Sequence, residues 1–171
     1  MDGVQAEQTT GDEGAGVERT LIPSWNNYSR AKRVILMNVF ISHASTDGEL
    51  AYRVAQVLRR AGFGVWDETQ ILPGENWGQK LAEALQQSDA MVVLLTPDSV
   101  RSPNVGHDIG YALGKPNYRG RLIPVLAAPA GQLAEEQIPW ILKKLPMISL
   151  RNGGNEEEGL LEIVHALQTA A

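Results

Sequence analysis

The stretch Val34-Ile35-Leu36-Met37-Asn38-Val39-Phe40-Ile41 is an almost continuous apolar run. A β-strand that is buried on both faces has this composition, because neither face needs polar side chains. Ala90 to Leu95 is a second run of this kind, and a further strand is predicted at Leu122 to Leu126. Shorter strands are predicted at Gly64 to Trp66 and at Met147 to Leu150. The sequence therefore predicts five strands.

Between these strands the apolar residues recur at helical spacing. Four helices are predicted from their core faces: Leu50, Val54, Val57, Leu58 and Ala61; Trp77, Leu81, Ala84, Leu85 and Ser88; Val105, Ile109, Ala112 and Leu113; and Leu160, Ile163, Val164 and Leu167. A short helix is also expected around Ile138 to Lys143. Alternation of helices with buried strands predicts an α/β fold, with a parallel sheet covered by helices on both faces. We expect a flavodoxin-like five-stranded sheet in the order 2-1-3-4-5.

Helix boundaries are indicated by capping residues. Thr46 with Glu49 has the spacing of a capping box, and Gly62 is placed to end the first helix. Asn76 is the expected N-cap of the second helix, and Asn155 that of the last.

The third helix lies in the segment Ser102 to Pro116. Ser102 is the expected N-cap, Pro103 occupies the first helical position, and Gly114 follows the last turn. Asp108 lies at the edge of the apolar face of this helix. A carboxylate at that position belongs neither to the core nor to the open surface, so Asp108 is the candidate functional residue of the helix.

The predicted topology gathers several polar and aromatic residues at one edge of the sheet. In this strand order the first and third strands are neighbours, and ligands bind in the crevice beyond their carboxyl ends. Those ends carry Ser42-His43-Ala44-Ser45 and Leu95-Thr96. The loop from Asp67 to Asn76 leaves the same edge, is long for a strand-to-helix connection, and leads to Trp77. The Asp108 helix begins there too.

Composition narrows the function. The chain has 171 residues and a net charge of −5, and it lacks cysteine. The acidic balance argues against nucleic-acid binding, and the absence of a long apolar run argues against a membrane span. Without cysteine there is no disulfide or thiolate chemistry. Residues 1–33 are polar and glycine-rich, which predicts a disordered or loosely packed tail before a folded domain over 34–171. We expect a cytoplasmic protein.

Several common sites are missing. The sequence contains no G-x-G-x-x-G after a strand, no P-loop and no G-x-S-x-G nucleophile elbow. These absences argue against a dinucleotide-binding dehydrogenase, a P-loop nucleoside triphosphatase and a serine hydrolase. The three histidines, His43, His107 and His165, lack the spacing of metal ligands, so no metal site is predicted. A receiver domain is also disfavoured, because Ser42-His43 replaces the acidic pair expected after the first strand.

Several motifs are similar to those of TIR domains. The stretch Asn38 to Ser45 resembles the opening motif of that family, and Gly62 to Asp67 resembles its second strand. Leu72-Pro73-Gly74 resembles the loop that follows, and Ser88 to Pro97 resembles the third strand with its Thr-Pro end. The resemblance runs from about Met37 to the C-terminus, and it is closest to the bacterial, stand-alone branch of the family.

The resemblance implies an activity. Many bacterial TIR domains cleave the nicotinamide–ribose bond of NAD, and some make cyclic ADP-ribose isomers as signals in antiphage defence. Their essential Glu belongs to a W-V-x-x-E motif, which is matched here by Asn104 to Asp108, so Asp108 takes the Glu position and Asn104 the Trp position. NAD is then a substrate, and no cofactor is implied.

The resemblance also implies the remaining site residues and partners. By analogy, the substrate-binding residues are Ser42, His43, Ala44, Ser45, Asp67 and Trp77. For Trp77, a core position and stacking of its ring on the substrate are equally favoured. His107 is expected to face solvent. Residues 67–76 correspond to a loop through which family members self-associate. A downstream effector that senses the nucleotide product is a further implied partner.

Two alternatives stay open. Many TIR domains act as non-catalytic modules that assemble with other proteins. Separately, Gly106 to Pro116 resembles the helix of nucleoside 2-deoxyribosyltransferases, which also places an acid at Asp108. Both enzyme families break an N-glycosidic bond at a ribosyl C1′, which requires a carboxylate beside an oxocarbenium-like centre.

Overall fold

A computed structural model describes residues 37–66, 71, 73–150 and 155–171. The predicted tail at 1–33 and the start of the predicted first strand, residues 34–36, lie outside the described residues. The domain boundary at residue 34 therefore stays a prediction.

Five parallel strands form one sheet in the order β2-β1-β3-β4-β5. Their bounds are β1 Asn38–Ser42, β2 Gly64–Trp66, β3 Ala90–Leu95, β4 Leu122–Leu126 and β5 Ile148–Ser149. This confirms the predicted α/β fold, flavodoxin-like order and parallel pairing. β1 is paired with β3 from Val39↔Ala90 to Ser42↔Val93, so the carboxyl ends of these two strands lie side by side.

Four helices cover the sheet: α1 Gly48–Arg60, α2 Trp77–Gln87, α3 Pro103–Leu113 and α4 Glu156–Thr169. α1 and α4 pack on one face, where the core includes Val54, Leu58, Ile163 and Leu167. α2 and α3 pack on the other face, where the core includes Ala84, Leu85, Val105, Ile109 and Ala112. Helices therefore lie on both faces, as predicted.

The strands separate these two cores by the alternation of their side chains. In β1, Val39 and Ile41 face the α1/α4 core, whereas Phe40 faces the α2/α3 core and stacks on Trp66 with ring centroids 5.0 Å apart. Every residue of β3 is at most 1% exposed. The apolar composition of β3 follows from this position, because both of its faces are covered and both of its edges are paired.

Several helix ends follow the predicted capping chemistry. Asn76 accepts a hydrogen bond from the Gln79 N–H at 3.1 Å, and Asn155 accepts one from the Glu157 N–H. Gly62 has a φ of +98°, the left-handed conformation that a glycine adopts readily after a helix.

Three local predictions were wrong. The expected helix around Ile138 to Lys143 is instead two 3₁₀ turns, at Glu135–Gln137 and Leu142–Lys144. Leu113, assigned to the core face of α3, is 47% exposed at the end of that helix. The Thr46–Glu49 capping box does not form, because α1 begins one residue after Asp47 and Thr46 bonds elsewhere.

Candidate functional site

The candidate site lies at the carboxyl edge of the sheet, where β1 and β3 end together. Ser42 is the last residue of β1, and the turn after β3 leads through Ser99–Arg101 into α3. α1 and α3 start at this same edge and cover opposite faces. This is the topological switch point of the fold, where parallel α/β sheets bind ligands.

The sequence placed Asp108 at the edge of the apolar face of α3, and the structure buries it against the end of β1. Ser102 accepts a hydrogen bond from the Val105 N–H at 3.5 Å, and Pro103 occupies the first turn, so the predicted start of the helix is confirmed. Five residues further on, Asp108 is only 4% exposed, which makes it more buried than its apolar neighbour Ile109 at 7%.

A hydrogen bond joins Asp108 to the end of β1. The Ser42 hydroxyl donates to Oδ2 of Asp108 at 2.7 Å, and both side chains are buried. Removing a carboxylate from water is costly unless donors replace the lost hydration, and the Ser42 hydroxyl supplies one such donor. Two predicted site residues that are 66 positions apart in sequence are therefore in direct contact.

His43 follows Ser42 directly and is 6% exposed. Its Nδ1 lies 2.8 Å from the carbonyl oxygen of Ala44. A carbonyl oxygen can only accept, so Nδ1 is the donor and carries the proton. The other ring nitrogen, Nε2, is buried and has no hydrogen-bond partner within the described residues.

The remaining predicted residues divide by exposure. Ala44 is buried, and its carbonyl also accepts from the Asp47 N–H at 2.9 Å, whereas Ser45 is exposed. Trp77 opens α2 and is 40% exposed, so it is not part of the core. Asp67 lies outside the described residues. His107 is exposed, as predicted.

Two threonine–aspartate pairs hold the neighbouring loops together, and the sequence analysis missed both. The Thr96 hydroxyl donates to Asp47 at 2.7 Å, and the Thr46 hydroxyl donates to Asp98 at 2.9 Å. Each pair joins the loop after β1 to the loop after β3. We name these four residues the Thr–Asp clasp. Only the strand order indicates that the two loops meet, since the partners are 49 and 52 positions apart.

Other kinds of site are not found in the described ranges. No group of histidine and acidic residues within them has the arrangement of a metal site. None of their helices has the length and apolar character needed to cross a bilayer. A groove bordered by Asn38, Trp66 and Ser88 lies at the amino edge of the sheet, opposite Asp108. The described residues that line it include no acid or histidine.

Solved structures show the same fold. A metazoan TIR-STING receptor from C. gigas in complex with 2′,3′-cGAMP is 20% identical, with a TM-score of 0.63 over 78% of this chain and 40% of that one. This chain therefore spans well under half of that receptor. The TIR domain of a Toll-related receptor from Hydra magnipapillata is 19% identical, with a TM-score of 0.56, over 74% and 97% of the two chains. A prokaryotic SEFIR domain is 16% identical, with a TM-score of 0.58, over 77% and 98%.

No curated protein matches this chain significantly. The sequence profile of the TIR domain family matches residues 39–164, which include β2 to β5, all of β1 except Asn38, α1 to α3, and the first part of α4. The match contains the Ser42–Asp108 pair, the His43 ring and the Thr–Asp clasp. The chain therefore belongs to the TIR domain family.

Proposed function

We propose that this protein cleaves NAD at the nicotinamide–ribose bond, giving nicotinamide and either ADP-ribose or a cyclic ADP-ribose isomer. Some TIR domains are NAD nucleosidases, and others are non-enzymatic adaptors. The observation that carries the proposal is the Ser42–Asp108 hydrogen bond of 2.7 Å at the switch point of the sheet. It supports a carboxylate that is held in one orientation where ligands of this fold class bind.

The proposed chemistry requires little more than one well-placed carboxylate. When the bond between C1′ and the nicotinamide nitrogen breaks, its electron pair neutralises the positive charge of the ring, so the leaving group needs no proton. Positive charge develops at C1′ in the transition state, and the Asp108 carboxylate would stabilise it. Water then bonds to C1′ and releases a proton to solvent, or a nitrogen of the adenine base bonds to C1′ and closes a ring.

The other predicted residues have supporting roles in this proposal. Ser42 orients Asp108, and Ala44 and Ser45 line the approach to it. Trp77 would stack on a ring of the substrate, a use that its 40% exposure supports. Asp67 is proposed as a substrate contact by family analogy alone.

The proposed setting is a cytoplasmic signalling role in bacterial antiphage defence. TIR domains commonly self-associate. We propose that this chain does so through residues 67–76, and that a separate effector senses its nucleotide product.

The test is incubation of concentrated protein with NAD, with products separated by chromatography and identified by mass. We expect nicotinamide with ADP-ribose or a cyclic isomer, and a rate about a hundredfold or more lower for Asp108→Asn. His107→Gln is the matched control, because His107 is the exposed neighbour of Asp108 on the same helix. Unchanged turnover in Asp108→Asn would contradict the assignment of Asp108.

A second candidate is a non-catalytic interaction module. Asp108 is one methylene shorter than the Glu of catalytic relatives, and it is 96% buried beside Ser42, which suits a structural acid as well as a catalytic one. This candidate predicts no NAD turnover at any protein concentration, together with self-association in sedimentation experiments. The same assay run with nucleosides tests the nucleoside glycosidase alternative, which predicts release of free base and no action on NAD.

A further inference from the structure

The apolar run that predicts the first strand is longer than the strand itself. The run begins at Val34, whereas β1 begins at Asn38. Met37 is accounted for, because its side chain is 5% exposed and belongs to the α1/α4 core. Val34, Ile35 and Leu36 lie outside the described residues, and burial of three consecutive apolar side chains would be favourable. The described residues at the start of β1 show which surface is available to them.

On the β3 side, the sheet offers these three residues no continuation. The Asn38 N–H donates to the Asp89 carboxylate at 2.8 Å, so a side chain takes the place of a strand carbonyl. The preceding residue, Ser88, donates its N–H to the Ala84 carbonyl at 3.0 Å and so ends α2. The backbone before Asp89 therefore belongs to a helix, and it cannot pair with residues that precede Asn38.

The β2 side ends at the same level. The Gly64 N–H donates to the Met37 carbonyl at 3.0 Å. One residue earlier, the Phe63 N–H donates to the Leu58 carbonyl at the end of α1. The described backbone before β2 is therefore bonded to α1, and a strand through residues 34–36 would find no partner there either.

An apolar groove lies directly beside Asn38, between β2 and the end of α2, and it encloses about 360 Å³. Trp66 and Ala84 belong to its lining, and the Trp66 ring stacks on the core residue Phe40. Polar groups of the lining are already bonded within the protein. The Ser88 hydroxyl donates to the Ala84 carbonyl at 2.8 Å, and the Asn38 amide donates to the Gln87 carbonyl at 3.4 Å. Such a surface favours an apolar occupant.

The alternation of β1 indicates which residue would meet this groove. Phe40 faces the α2/α3 core, and Asn38, two residues earlier, lines the groove. An extended backbone would place Leu36 next on that face. The volume also suits a side chain, because it lies near the lower end of the roughly 300–1,000 Å³ of small-molecule pockets.

We propose that residues 34–36 of the same chain cover the groove between β2 and α2, with the Leu36 side chain against Trp66 and Ala84. The chain's own segment is the occupant because it is attached at the rim of the groove, which gives it a higher effective concentration than a second copy has. The contact ties the start of β1 to α2, in which only Ala84 and Leu85 are buried. The inference concerns the edge of the sheet opposite Asp108 and does not depend on NAD cleavage.

Disulfide trapping in the full-length chain tests the contact. The chain has no cysteine, so two introduced thiols can pair only with each other. Leu36→Cys keeps a small apolar side chain, and it is combined with Gln87→Cys at the exposed rim of the groove. The matched control combines Leu36→Cys with Arg60→Cys, at the exposed end of α1 on the other face.

We expect the Leu36–Gln87 pair to form an intrachain disulfide at least about tenfold faster than the Leu36–Arg60 pair, because the bond requires Cα atoms within about 7 Å. Equal rates, or a faster Leu36–Arg60 pair, would overturn the inference. Disulfide-linked dimers in place of the intrachain bond would assign the groove to a second copy, and would also overturn it. Mass spectrometry of the non-reduced protein distinguishes these outcomes.

Hydrogen exchange gives a second test that needs no cross-link. Leu36→Ser should speed amide exchange in the last turn of α2 by at least about tenfold and leave β3 unchanged, because it removes apolar cover from the groove alone. Leu21→Ser is the matched control, a leucine from the sequence before the segment, and it should change neither element. Unchanged exchange in α2, equal acceleration of β3, or the same effect from Leu21→Ser would contradict the proposed contact.

Discussion

The Ser42 hydroxyl donates a hydrogen bond of 2.7 Å to the Asp108 carboxylate, and this contact joins the end of β1 to the middle of α3. Both side chains are at most 4% exposed. The bond adds a polar contact to the apolar packing of α3 on the sheet, and it orients the Asp108 carboxylate at the switch point. The same hydrogen bond therefore contributes to stability and to the proposed chemistry.

Removing the Ser42 hydroxyl should weaken the fold. Ser42→Ala takes a donor from a buried carboxylate, so we expect the free energy of unfolding to fall by about 1–3 kcal/mol. Urea unfolding followed by circular dichroism measures this. Ser45→Ala is the control, since Ser45 is exposed and its change should stay within about 0.5 kcal/mol. A Ser42→Ala midpoint equal to that of the wild type would mean that the bond contributes little.

The two hydrogen bonds of the Thr–Asp clasp should contribute unequally to the stability of the fold. Thr96 is buried, and its hydroxyl both donates to Asp47 and accepts from the Ser99 N–H at 3.0 Å. Thr96→Val removes both bonds, so we expect a loss of about 1–3 kcal/mol. Thr46→Val removes only an exposed bond and should cost less than about 1 kcal/mol. Equal losses in thermal or urea unfolding would show that burial does not set the difference.

Gly159 should tolerate no side chain. A Cβ at this position would lie 2.7 Å from the Cα of Leu150 and 2.8 Å from its carbonyl oxygen, and backbone cannot move aside cheaply. Gly159→Ala should therefore destabilise the protein by about 1–3 kcal/mol. Gly110→Ala is the matched control, because Gly110 is an exposed helical glycine with open space around its Cα. That control should raise the free energy of unfolding by up to about 1 kcal/mol. The prediction is wrong if both substitutions change the free energy of unfolding in the same direction.

Tyr118 should lower the free energy of unfolding at alkaline pH. Burial raises the pKa of its hydroxyl far above the ordinary value of about 10, and the neighbouring Tyr111 adds to the rise. The folded state therefore keeps a proton that the unfolded state loses above about pH 10, so the free energy of unfolding should decrease as the pH rises beyond that point.

Tyr118→Phe tests this directly. The variant loses the 2.6 Å hydrogen bond to the Leu85 carbonyl, which should cost about 1 kcal/mol at neutral pH. Its stability should then fall less steeply than that of the wild type above about pH 10. Tyr52→Phe is the control, since Tyr52 is 54% exposed. Parallel pH profiles for the wild type and Tyr118→Phe would contradict the prediction.

The sequence alone predicted the local elements of this protein. The apolar runs of β3 and β4, the caps at Asn76 and Ser102, and the sheet order all agree with the structure. The strands and caps can be predicted because they depend on neighbours within a few positions: two-residue and 3.6-residue periodicity, and a cap that bonds to its own helix. The sheet order followed instead from the connection rules of chains in which strands and helices alternate. The resemblance of Asn104 to Asp108, within the third helix, to a W-V-x-x-E motif added the family position of Asp108.

Only the tertiary structure decided which polar groups meet. Thr46 and Glu49 have the right spacing for a capping box, yet Thr46 bonds to Asp98, because the sheet brings that acid within 2.9 Å. The burial of Asp108, the exposure of Leu113 and the unpaired Nε2 of His43 also depend on how whole elements pack. A residue's spacing in the chain fixes its place on a helix or strand, whereas its partner across 50 or more positions is fixed by the register of the sheet.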